Sequence, residues 1–286
     1  MCDDYTFYLC LTHDVDRPYK RLHHTLYYTQ AERSLSHLKS LLPSVNPYWQ
    51  FEDIMAIEEE FGVTSAFYFL NEQHILQTWE PRRWLRPIEW VQFLGRYDVT
   101  SPAIADMIRT LDAGGWEIGI HGSFHSYDDR ARLHHEKEVL EAVAGTDVVG
   151  GRQHYLRLSI PETWRHHRAI GLDYDASLGD STRYGFHHGY HPVTPFDDDF
   201  LVFPLTLMEQ ALEQHSSVEA RRAVCDRLLT EAADHQAVMT VLWHPRYFNE
   251  EEFPGFRFLY RWLIERALEL GAWVGPPGAL CERFQS

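Results

Sequence analysis

A single-domain α/β chain closed into a (β/α) barrel is the architecture implied here, and three features imply it. Strand-like apolar segments alternate with amphipathic helical segments along the sequence, and repeated strand–helix units build a parallel sheet with helices outside it. The 286 residues, 44% of them hydrophobic, suffice for one large core. No repeat, low-complexity tract or Pro/Gly/Ser linker divides them, so residues 1–286 read as one domain. With about seven or eight such units, closure into a barrel is favoured over an open sheet. An open doubly wound sheet is the alternative, but no GxGxxG turn follows the first strand.

The elements follow in order. Tyr5–Leu11 reads as a buried strand that stops at the polar Thr12-His13-Asp14-Val15-Asp16. Pro18–Leu42 carries apolar residues at helical spacing, and Ile54–Phe61 is a helix closed by Gly62, where a left-handed cap is expected. Strand Thr64–Leu70 comes next. Helix Pro102–Ala113 stops at Gly114-Gly115 and leads into strand Trp116–Ile120. Helix Arg132–Val143 precedes a strand-like stretch within Val148–Leu158. Helix Pro161–Ala169 precedes a short strand in Leu172–Leu178. Leu201–Leu207 is strand-like, Val218–His235 a long helix, and Ala237–Trp243 a strand. Helix Phe256–Leu270, capped by Gly271, leads into a last strand, Ala272–Val274.

Composition removes several classes of function. A net charge of −16 opposes a nucleic-acid partner, whose phosphates demand a basic face. The only lysines are Lys20, Lys39 and Lys137, and an acid excess with so little lysine suits a surface solvated at high salt. No stretch approaches the ~20 apolar residues needed to span a bilayer. The N-terminal run opens with two acids, unlike a basic signal-peptide start, so a cytoplasmic location is expected. Cys2, Cys10, Cys225 and Cys281 form no CxxC or CxxH spacing and read as incidental thiols.

Polar residues recur at the C-terminal ends of the strands, which a parallel barrel gathers on one face. Asp14 and Asp16 end the first strand, His121 and His125 follow the third, Arg152 follows the fourth, Asp175 lies in the fifth unit, and His244 closes the strand Ala237–Trp243. Two histidines at i and i+4 with a carboxylate make three ligands and leave positions open, the pattern of a catalytic metal site. Asp16, His121 and His125 are therefore expected to hold one divalent ion, with zinc favoured by that donor set. Asp14 is the expected base, Arg152 a clamp for a carboxylate, and His244 the acid for a departing nitrogen. Asp175 is the expected partner of His244, with Asp173 as alternative. The pairs His23–His24, His134–His135 and His166–His167 fall on helices and read as solvated or packing residues.

Taken together, these motifs resemble the NodB-homology polysaccharide deacetylases, carbohydrate esterase family 4 in its broad sense. The resemblance implies a deformed barrel of about seven strands. It makes Asp14 the base and Asp16 a metal ligand, likens His121-Gly-Ser-Phe-His125 to the family's H-[ST]-x-x-H, and likens Arg152-Gln153-His154-Tyr155 to its Arg-x-Pro-Tyr. From that last motif it implies that Arg152 orients the base and that the Tyr155 backbone amide binds an oxyanion. Asp173-Tyr174-Asp175 and Leu242-Trp243-His244 resemble the later motifs. Three departures stand out: a residue between the two Asp, a D-x-D form that resembles a divergent branch including intracellular deacetylases and allantoinase-like amidohydrolases; Gly after His121; and His154 where Pro is usual. The implied activity is removal of an N-acetyl group from an acetamido sugar or surface glycan. The alternatives are hydrolysis of a small amide or ureide, or an inactive carbohydrate-binding barrel.

Overall fold

The computed structural model describes residues 5–21, 25, 29–30, 45–76 and 81–285. Cys2, Lys39, His23–His24 and most of the expected helix Pro18–Leu42 lie outside the described residues. Among the described residues nine strands form one parallel sheet: β1 Phe7–Val15, β2 Ala66–Leu70, β3 Glu117–Gly122, β4 Gly150–Gln153, β5 Tyr174–Asp175, β6 Leu201–Val202, β7 Leu205–Met208, β8 Val238–Leu242 and β9 Ala272–Gly275. Their order is β6-β5-β4-β3-β2-β1-β8-β7. β9 joins the first half of β1 through Phe7–Cys10, while β2 pairs with its second half through Thr12–Val15.

The two ends of that order are neighbours in the chain. Only Phe203 and Pro204 separate β6, which pairs with β5, from β7, which pairs with β8. Proline brings no N–H to a ladder, so the expected strand Leu201–Leu207 appears as two short ones, and through it the sheet curls round as a deformed barrel. β1 also differs from expectation. It runs on through Thr12–Val15, because those polar residues find partners inside the protein.

Period-two alternation sorts the strand side chains into two layers. Phe7, Leu9, Leu11, Phe67, Phe69, Ile118, Ile120, Met239 and Val241 pack outward against the helices. Tyr8, Cys10, Ala66, Tyr68, Tyr174, Ala176, Phe203 and Val238 fill the barrel interior, closed at the bottom by Leu280 and Cys281. Gly119 and Gly150 make that interior possible, since a Cβ on either would lie 2.3 Å or less from the Tyr68 or Tyr174 ring. Cys10, Cys225 and Cys281 are buried free thiols.

The helices obey local rules. α1 (Phe51–Phe61) ends at Gly62 with φ 66°, α4 (Pro102–Ala113) starts on proline, and the Asp129 side chain caps α5 (Arg130–Ala144) by accepting from the Arg132 N–H. α6 (Glu162–Ala169), α7 (Val218–Asp234) and α8 (Phe256–Glu269) match expectation closely. Two short helices, α2 (Pro81–Trp84) and α3 (Pro87–Gly95), and the C-terminal α9 (Pro277–Gln285) were not foreseen. Among the described residues no helix is long and apolar enough to cross a membrane.

At the bottom of the barrel, Glu117 accepts hydrogen bonds from the Tyr174 hydroxyl and from the Gly278 N–H, and Tyr174 in turn meets the Tyr68 hydroxyl at 2.9 Å. Burial raises the Glu117 carboxyl to about 7, the two hydrogen bonds opposing only in part. A folded pKa above the unfolded value of 4.5 means that its stabilising effect is present in acid and lost as pH climbs to about 7. Wild type should therefore lose on the order of 2 kcal/mol of unfolding free energy across that window relative to Glu117→Gln. Urea denaturation at a series of pH values reads this directly, and parallel curves for the two proteins would contradict it.

Candidate active site

Strand alternation decides which polar groups meet. Tyr8 and Cys10 face the barrel interior, so Thr12 and Asp14 follow on the same face of β1 while His13 turns outward. His13 is sealed in the sheet–helix layer: its Nδ1 donates to the Trp243 carbonyl at 2.5 Å, and its Nε2 lies 3.1 Å from Glu58 Oε1 and 3.0 Å from the Tyr260 hydroxyl. His13 is thus a core residue, as is Val15, while Asp14 and Asp16 on either side of Val15 face the cavity.

Arg152 organises the interior side. The guanidinium is fully buried. Its Nη1 donates to Asp14 Oδ1 at 2.7 Å and to Thr12 Oγ1 at 3.0 Å, and its Nε to the Ala176 carbonyl at 2.7 Å. The Tyr68 ring lies 5.1 Å from its centre. One cation therefore ties β4, β1 and the end of β5 together. Burial alone would raise the Asp14 carboxyl, but Arg152, with His121 and His244, outweighs it and holds the group below the ordinary carboxylate range.

Above this pair opens a cavity of about 310 Å³, lined in part by Asp14, Asp16, His121, His154, Tyr155 and His244. His121 Nδ1 donates to the Arg152 carbonyl at 3.0 Å, so its Nε2 carries the lone pair, 3.8 Å from Asp14 Oδ2. Burial keeps His121 below its ordinary value despite Asp14 and Asp16, so it is neutral near pH 7. Burial, with His121 beside it, holds His154 down to about 3. Asp16 is lowered too: burial would raise it but is outweighed by His244, Arg17 and Arg246, and the carboxylate stays ionised. His154 starts a tight turn in which Tyr155 and Leu156 take φ values of 58° and 54°. Left-handed backbone at two successive non-glycine residues costs about 1–3 kcal/mol each, and this turn forms one wall of the cavity.

His244 follows β8 and meets the cavity opposite that wall. Its Nδ1 lies 2.6 Å from Oε1 of Glu209, a fully buried residue just past β7. Burial disfavours the imidazolium, but Glu209 and then Asp16 outweigh it, so His244 is raised above the ordinary histidine value.

Two expectations need correction. Asp175 does not support His244: Tyr174 and Ala176 face inward, so Asp175 faces outward toward α6. There it accepts from Ser177 Oγ at 2.5 Å and Trp164 Nε1 at 3.1 Å, with His167 Nδ1 3.2 Å away. His167, foreseen as a helix-surface or packing residue, is buried in that network. The structure also separates His125 from His121. His125 Nε2 is 2.8 Å from Glu89 Oε1, in a different crevice lined by Glu72, Glu89 and Gln92. The i,i+4 argument needs a helix, but His121 lies within β3, which ends at Gly122, and His125 sits in the turn beyond it, just before the short 3-10 turn that starts at Ser126. Glu209 and His154 were missed as site residues, although both follow strands, the same signal that exposed the others.

These contacts test whether a divalent ion suits the cavity. Among the described residues no three His, Cys, Asp or Glu side chains are already gathered round one point. Asp16 and His121 nevertheless offer an ionised carboxylate and a neutral imidazole whose far nitrogen is tied to a carbonyl, the arrangement of a metal-ligating histidine. Those two fit; His125 does not.

Neither a family model nor a curated protein sequence matches the chain. Solved structures do. A candidate polysaccharide deacetylase from Mycobacterium smegmatis aligns over 99% of this chain and 91% of its own, at 18% identity and TM-score 0.65. The chitin deacetylase of the fungal pathogen Colletotrichum lindemuthianum covers 96% of this chain and 87% of its own, at 14% identity and TM-score 0.52. A CE4 family pseudoenzyme from Bacillus anthracis covers 96% of this chain and 67% of its own, at 13% identity and TM-score 0.50. Such identities speak to architecture, and on that ground the chain has the NodB-like fold of the CE4 polysaccharide deacetylases.

Proposed function

We propose that the cavity hydrolyses the N-acyl group of an acetamido sugar. The observation that carries this reading is the pairing of opposed proton-transfer groups across one small cavity: Asp14, held ionised by Arg152, and His244, held toward its protonated form by Glu209. Groups whose environments push them apart in this way are suited to act as base and acid. A cavity of about 310 Å³ is at the small end for ligand sites, matching one sugar ring rather than a long chain segment. The solved relatives that share the fold include a chitin deacetylase. They also include a pseudoenzyme, so the reading rests on the site of this chain and not on the fold.

The division of labour follows from position. Asp14 takes the proton from the attacking water, and Arg152 keeps the carboxylate aimed at the cavity. The Tyr155 amide, on the strained turn, is the donor for the oxygen that gains charge in the tetrahedral adduct. His244, on the opposite wall, gives its proton to the departing nitrogen. Asp16 and His121 Nε2 would hold a divalent ion, zinc by the donor types, which when bound polarises the acyl carbonyl and acidifies the attacking water.

Acetate release from N-acetylglucosamine and its oligomers, with zinc supplied, tests the reading. Cleavage of allantoin instead would move the chain to the ureide hydrolases, and saturable sugar binding without turnover would make it a binding barrel. With a cleaved substrate in hand, Asp14→Asn should lower turnover by about 100-fold or more, and loss of less than tenfold would remove Asp14 as base. His244→Ala should damage amide cleavage far more than cleavage of an acetyl ester, whose leaving alcohol needs less protonation; equal damage would make His244 structural. The pH profile adds a signed test. An acid catalyst fails as pH rises through its folded pKa, and Glu209 raises that pKa. Glu209→Gln should thus shift the alkaline limb to lower pH, and an unmoved limb would contradict the pairing.

A further inference from the structure

We infer that His154, and not His125, is the second imidazole donor of the cavity, completing a cation site with Asp16 and His121. The inference rests on the reading of this cavity as a metal-assisted hydrolytic site and adds its third ligand. Four observations support it. Asp16, His121 and His154 line the same cavity, which His125 does not reach. The His121 and His154 rings stand edge to face with centroids 5.0 Å apart, close enough for both to approach one ion. His154 Nδ1 is buried without a hydrogen-bond partner, and a nitrogen left in that state in a polar pocket signals a missing ligand or water. His125, by contrast, has its Nε2 engaged with Glu89 and would have to break that contact to turn toward β3.

The local backbone suits the assignment. β4 ends at Gln153, so His154 sits at the C-terminal rim of the barrel, beside the rim of β3 that carries His121. Next to His154, Tyr155 and Leu156 are held in left-handed geometry, so a ligand on the His154 ring would also anchor the wall that bears the Tyr155 amide. The three donors do not converge on one point. Binding must therefore pull the His154 ring inward, and the ring environment must change when the ion enters.

Binding is read without any substrate. Metal-free protein is titrated with Co2+ and with Zn2+, following the Co2+ visible absorption and, in protein labelled with 15N at histidine, the ring-nitrogen shifts. The expected result is one ion per chain, with the ring nitrogens of His121 and His154 shifting and those of His125 unmoved. His154→Ala and Asp16→Ala should each weaken binding by at least about tenfold, while His125→Ala leaves the affinity unchanged. His154→Asp, which restores a donor, should recover affinity that His154→Gln does not, and this separates ligation from a folding defect. Loss of binding in His125→Ala with retention in His154→Ala overturns the inference, as does a wild-type protein that binds no ion. Binding with this ligand set but no cleavage of any acylated sugar leaves the inference standing and removes only the proposed activity.

Discussion

The buried guanidinium of Arg152 is the constraint on which the rest of the site depends. A charge that deep is tolerated only because each of its contacts is also a structural tie: Asp14 and Thr12 on β1 and the Ala176 carbonyl beyond β5. Breaking such a pair by removing one partner typically costs about 3–5 kcal/mol, since the other charge is stranded. Here the same contact fixes the protonation state of Asp14 and closes the inside of the barrel. The backbone carbonyl of Arg152 also takes the Nδ1 proton of His121, which decides which nitrogen of that ring faces the cavity. One residue thereby sets a base, a lone pair and a strand contact.

A second division of the molecule follows from strand alternation. His13, Glu58 and Tyr260 are polar residues hydrogen-bonded to one another, yet they lie between sheet and helices and serve packing. Trp116 adds a 2.7 Å hydrogen bond to Glu58, closing that network. The cavity residues occupy the alternate positions of the same strands, above the aromatic plug of Tyr68 and Tyr174. Core and site are thus written on opposite faces of one short segment, Thr12 to Asp16.

This arrangement explains what could be read in the chain beforehand. The barrel was legible because its strands are buried on both faces and so appear as continuous apolar runs, such as Phe7–Leu11 and Val238–Leu242. The second half of β1 was not, because Thr12, His13 and Asp14 satisfy their polar groups internally and look like a loop. Asp14, Asp16, His121, Tyr155 and His244 all line the cavity, and Arg152 binds Asp14 beneath it, since strand-end position was the guide and topology respects it. Asp175 and His125 were placed by residue type and spacing without regard to the side of the strand, for Asp175, or to the turn that carries His125 away from His121. Glu209 was missed although its strand was expected within Leu201–Leu207, because it stands two residues beyond that expected end, and His154 was missed through the expectation of a proline there. α2 and α3, rich in Arg, Pro and Trp, carry too weak a periodic signal to be seen.

The central claim is that Arg152 holds Asp14 as an ionised, aimed carboxylate, and it can be measured without substrate or metal. Protein labelled with 13C at aspartate carboxyl carbons is titrated in the metal-free state, with Asp14 assigned from Asp14→Asn, and the titration is repeated in Arg152→Met. The account predicts that Asp14 in the wild type stays ionised to below the ordinary carboxylate range and that loss of the guanidinium moves its titration upward, as burial then acts with less opposition. An Asp14 titration that is the same in the two proteins would contradict it.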